Sequence, residues 1–171
     1  ACQTSSVQKT NATVASSTSA SASVSASASA SNSSSTNSEQ LCITEEGMRL
    51  MPDLSATPGK LCTANDLDFD GTKYVAKVPM CRGNVTDKMK LTVAKSYNIK
   101  ESDVSKFTFD HYVPLTLGGA NDVSNIWPAP KEVSSAKKVY VDDVAAQLRD
   151  GKISQEDAVR LVKAWKPSDC K

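Results

Sequence analysis

The chain has 171 residues, of which 39% are hydrophobic and 23% charged, with a formal net charge of +1. A balance this close to neutral creates no overall field that would draw nucleic acid or a membrane surface. No run of about 20 apolar residues occurs, so no transmembrane helix is expected.

The hydrophobic deficit sits at the start, where the text reads SSTSASASVSASASASNSSSTNSE. With almost no Leu, Ile or aromatic residue, this stretch cannot bury enough apolar surface to offset chain entropy. Residues 1–40 are therefore read as a disordered Ser/Ala-rich tether, a flexible coil spanning roughly 35 Å on average. The Ser-Ala alternation imitates a strand period, but its residues are too small and polar to build a buried face. Cys2 stands apart from the other cysteines, and Ala1-Cys2-Gln3 is similar to the end of a bacterial lipoprotein signal, which makes Cys2 a candidate lipidation site and the one route to a membrane. A eukaryotic alternative reads Asn11-Ala12-Thr13, Asn32-Ser33-Ser34 and Asn84-Val85-Thr86 as glycosylation sequons.

From Leu41 the composition becomes ordinary, and residues 41–171 suffice for one compact core. Residues 41–61 read as an irregular lead-in punctuated by Pro52 and Pro58-Gly59. Phe69 to Val78 suits a short hairpin or an extended segment. Thr86 can cap a helix reaching about Tyr97, with Val85, Met89, Val93 and Tyr97 on one face. Lys106 to His111 alternates and carries Phe107 and Phe109, as a strand does. Gly118-Gly119 marks a tight turn, residues 131–148 a helix, and Ser154 with Asp157 the start of another helix to about Trp165. The fold class is α+β.

Cys42, Cys62, Cys81 and Cys170 all fall in the globular part, an even set beside a tether, which favours disulfides and an extracytoplasmic location. No C-x-x-C pair is present to suggest zinc. Of three possible pairings, Cys62–Cys81 with Cys42–Cys170 is preferred: the first flanks the hairpin-like segment, the second ties the domain ends.

The chemistry-bearing stretch is Asp110-His111-Tyr112-Val113-Pro114-Leu115, then Gly118-Gly119, then Asn125-Ile126-Trp127-Pro128. His111 is the only histidine. A strand–turn–strand–helix unit of this size can gather the first strand's His, the second strand's Asn and the helix start around one point. The pattern D-H-x-x-P-L-x-x-G-G-x5-N-x-W-P over residues 110–128 resembles the HNH endonucleases of the ββα-metal (His-Me finger) group, with a looser likeness upstream and downstream. The resemblance implies an HNH-like ββα core with added helices. It implies that His111 is the general base for phosphodiester hydrolysis of DNA or RNA. It further implies that Asp110 binds a divalent ion, magnesium or manganese, and that Asn125 holds the imidazole. Gly118 and Gly119 would form the turn between the strands.

One position departs from that pattern. Family members supply a second metal-binding His from the following helix, whereas this chain reads Pro130-Lys131-Glu132-Val133-Ser134-Ser135-Ala136-Lys137. Ser134 or Ser135 takes the position. Three outcomes follow: weaker metal binding through Asp110 and water, substitution by Glu132, or loss of catalysis with the scaffold kept. A non-catalytic surface lipoprotein that binds a partner or envelope component is the alternative function.

Two further features have bland readings. Asp66-Leu67-Asp68-Phe69-Asp70-Gly71 opens like a calcium-binding loop, but its twelfth position is Lys77 rather than Glu, so a solvated acidic turn is expected. Arg82, Lys88, Lys90, Lys95, Lys131, Lys137 and Lys138 are scattered, and the lysines read as solvated helix faces rather than a nucleic-acid groove.

Overall fold

The computed structural model describes residues 42–44 and 47–170. The stretch expected to be a tether and Cys2, the candidate lipidation site, lie outside these residues.

The fold is mixed α+β, with two small antiparallel sheets and three α-helices among the described residues. Strands β1 (Phe69–Lys73) and β2 (Val78–Cys81) form the expected hairpin. Helix α1 (Asp87–Ser96) starts where Thr86 accepts a hydrogen bond from the Met89 amide, and buries Val93 and Ala94. Strand β3 (Thr108–His111) pairs with β4 (Ile126–Ala129), His111 opposite Ile126 and Asp110 opposite Trp127. Helix α2 (Lys131–Arg149) follows after one residue, and α3 (Gln155–Ala164) is capped by Ser154, whose hydroxyl accepts from the Asp157 amide at 3.0 Å.

Gly118-Gly119 do stand at a tight turn, but that turn does not by itself join the two strands. The link from β3 to β4 is a long folded loop containing two short 3-10 turns, Leu115–Leu117 and Val123–Asn125. Gly118 is left-handed, with φ +83°, and closes the first of them. Gly119 is required by crowding: a Cβ there would lie 1.8 Å from the Val113 carbonyl oxygen.

Two apolar clusters flank this unit. One joins Val78, Val113 and Leu117 to Val144 and Leu148 of α2 and Val162 of α3. The other packs Leu50, Tyr112, Trp127 and Val133 together. The disulfides are Cys42–Cys170 and Cys62–Cys81, with Cα–Cα separations of 5.3 and 5.6 Å. Both match the preferred pairing, and they favour an oxidising, extracytoplasmic environment. No described helix is long and apolar enough to cross a membrane.

Candidate active site

His111 ends β3, half-buried, and the loop beyond it determines what its ring meets. The Tyr112 amide donates to the Asn125 carbonyl at 2.7 Å, extending the β3–β4 pairing by one bond past His111. The loop then returns so that Asn121 Oδ1 lies 3.1 Å from His111 Nε2. An amide oxygen only accepts, so the proton of the neutral ring sits on Nε2 and Nδ1 keeps its lone pair. Asn121 itself packs against Gly83, where a Cβ would come within 2.1 Å of its Nδ2.

The loop carrying Asn121 is clamped to the segment before the first hairpin. The Ala120 amide donates to the Lys60 carbonyl at 3.0 Å, and the Cys62 amide to the Gly118 carbonyl at 2.8 Å. Lys60 Nζ also bridges Asp66 at 3.0 Å and Asp122 at 3.1 Å. The Cys62–Cys81 disulfide fastens this segment to β2, next to Gly83.

Asn125 does not hold the imidazole, which corrects the role expected from the motif. It is fully buried, and its side chain is consumed by the loop backbone. Its Nδ2 donates to the carbonyls of Val113 and Ala120, each at 2.8 Å, while its Oδ1 accepts from the Val113 amide at 2.9 Å. Asn125 pins the loop, and Asn121 meets the ring. The sequence contained both asparagines, but the path of the intervening loop decides which one reaches His111.

Asp110 Oδ1 accepts from the His111 amide at 2.8 Å, and Ser134 Oγ on α2 donates to Asp110 Oδ2 at 3.3 Å. Ser134 thus occupies the helix position facing Asp110. Ser135 turns back to the Lys131 carbonyl, and Glu132 is exposed in the first turn of α2. A cavity of about 330 Å³ opens here, lined by Asp110, Ser134, Lys137 and Lys138 among others. A larger cavity of about 620 Å³, lined by Tyr97, Phe107 and Pro128, contains none of these polar groups.

Lys137 departs furthest from its sequence reading. Lys138 is exposed and paired with Asp142, as a solvated lysine should be. Lys137 is 3% exposed, and its Nζ donates to the carbonyls of His111 at 3.0 Å and Tyr112 at 2.7 Å. A signal existed: Val133, Lys137, Val141, Val144 and Leu148 form the buried stripe of α2, with the lysine inside it.

Burial pushes the His111 imidazole below its ordinary value of 6.5, and the Lys137 charge adds to this; Asn121, Asp110 and Asp68 act in the opposite sense. The ring is therefore neutral at pH 7. Burial also lowers Lys137 to about 8, against the pull of Asp110, so it stays mainly protonated at neutral pH.

Asp110 offers a hard carboxylate oxygen to a cation, with the Ser134 hydroxyl beside it. Among the described residues, the one trio of His, Cys, Asp or Glu close enough to share an ion is Cys62, Asp66 and Cys81, whose cysteines are already joined to each other. In the calcium-loop lookalike, Asp66 binds Lys60 and Asp70 binds Arg82 at 3.2 Å. No family description, curated protein or solved structure matches this chain.

Proposed function

We propose that this protein is an HNH-like nuclease that hydrolyses phosphodiester bonds of DNA or RNA outside the cytoplasm, with His111 as general base. The reading rests chiefly on one observation, the Asn121–His111 hydrogen bond, which leaves a neutral imidazole with its lone pair on Nδ1, on the residue whose backbone amide donates to the Asp110 carboxylate. Such a nitrogen can take a proton from water near neutral pH. Asp110 would hold a magnesium or manganese ion with Ser134 alongside, and that ion would stabilise charge on the phosphate and the leaving oxygen. With a net charge of +1, the chain suits an enzyme touching a few phosphates better than a tight binding module. The disulfides favour a secreted protein or one anchored through a lipid on Cys2.

The test is cleavage of plasmid DNA and of structured RNA by purified protein with added magnesium or manganese. His111→Ala should lower the rate by about two to four orders of magnitude and leave the fold intact. Wild-type protein that cuts neither substrate with any divalent ion would overturn the reading. The second reading, a non-catalytic binding protein on the same scaffold, is favoured by one observation: among the described residues, Asp110 belongs to no group of three His, Cys, Asp or Glu side chains close enough to share an ion.

A further inference from the structure

The end of β3 is rich in oxygen. The carbonyls of His111 and Tyr112 both face α2, and Asp110 lines the same cavity. Buried carbonyls need donors, and an array of carbonyl and carboxylate oxygens attracts a cation. Here the cation belongs to the chain. Lys137 stands one helical turn beyond Ser134 and reaches both carbonyls, with its ammonium 5.4 Å from the centre of the Tyr112 ring. It joins strand to helix at the residue whose ring meets Asn121.

We propose that Lys137 is the positioning residue of the His111 site: a tethered ammonium that bridges the end of β3 to α2 and keeps the imidazole against Asn121 without a metal ion to set that geometry. The proposal rests on the reading that His111 is the working residue. Where a helix ligand and strand ligand would share an ion, this chain joins the same two elements through lysine and backbone. A divalent ion at Asp110 is then needed for chemistry alone, and the site is built before it arrives.

Because His111 is the only histidine, its ring nitrogens can be followed without overlap in ¹⁵N spectra of the full chain. In wild type, the Nε2-protonated form should dominate and stay unchanged when EDTA is added. Lys137→Ala should lose that single form and give a mixture of tautomers. Propylammonium, which refills the cavity with the missing group, should restore it, and Lys137→Arg should keep most of it. In the cleavage assay, Lys137→Ala should lower kcat on the order of 100-fold, as misplacement of a reacting group does, with little change in KM. Loss of the tautomer on adding EDTA to wild type would overturn the proposal even if Lys137→Ala does not fold. An unaltered spectrum in folded Lys137→Ala would overturn it as well. Absence of nucleic-acid cleavage together with the expected spectra would count against the nuclease reading and leave the lysine bridge standing.

Discussion

Asn125→Ala separates the two roles this asparagine could have. If it oriented the imidazole, its loss would reduce activity and leave the fold nearly untouched. The structure gives it three buried hydrogen bonds instead, to the carbonyls of Val113 and Ala120 and the amide of Val113. Truncation orphans all three backbone groups in a place fully closed to water. Each orphaned group costs about 1–3 kcal/mol. Allowing for partial relaxation of the loop, the sum is about 3–5 kcal/mol, a large part of the 5–15 kcal/mol typical of a domain. The melting temperature should fall by roughly 10–20 °C. Asn125→Asp keeps the acceptor for Val113 but loses both donors and buries a charge, so it should be at least as destabilised. Calorimetry and urea titration provide the measurement, with the cleavage assay run well below each variant's melting point. If Asn125→Ala stays within about 1 kcal/mol of wild type while losing cleavage, the asparagine acts on the ring and the loop-pinning argument is wrong.

Asn121→Ala should do the opposite: a modest change in stability, loss of the single imidazole tautomer in ¹⁵N spectra, and a fall in kcat of about tenfold, as expected for one half-buried hydrogen bond. The pH dependence follows from the depressed imidazole. Cleavage should fall off in acid with a midpoint below 6.5, because the base works only when neutral. The unfolded chain holds more protons than the folded one below 6.5, so the His111 contribution to stability is complete above that value and lost as pH falls; His111→Ala should flatten this limb of a stability profile. Replacing Cys62 and Cys81 by alanine removes a bridge between residues 19 apart and should cost about 3 kcal/mol in urea titration. It should also weaken the Asn121 tautomer signal, since the bridge fastens the segment on which that loop rests; an unchanged signal would detach the disulfide from the site.

The sequence made the frame readable because its signals are local. Thr86 and Ser154 cap helices through contacts within three residues, and the alternation around Phe109 marks a half-buried strand, which begins at Thr108 rather than Lys106. The disulfide pairing followed from where the cysteines flank a hairpin and the domain ends. The inner site was less readable because its contacts depend on a path. Whether Asn121 or Asn125 meets His111 depends on how the loop folds back through Gly118 and Gly119, where one glycine supplies a left-handed turn and the other admits the Val113 carbonyl. Composition also hid Lys137, because most helix lysines are solvated and its neighbour Lys138 is. Only its place among the valines of the α2 stripe set it apart.

That place is costly. Holding Lys137 at about 8 in the folded protein, against 10.5 in the open chain, means that burying its charge costs about 3 kcal/mol at neutral pH, as an order of magnitude. Stability should therefore gain from this group as pH rises from about 8 to 10.5, the reverse of a surface ion pair lost by deprotonation. An apolar side chain in the same stripe would avoid the charge burial but lose the lysine's hydrogen bonds to the two strand-end carbonyls. Simple core packing gives no reason to place a lysine there. Fixing the main chain of His111 gives one under the proposed nuclease reading, in which the imidazole works in the orientation set by Asn121. Ser134 reaches only the Asp110 carboxylate, whereas Lys137 joins the helix to the main chain at the end of the strand.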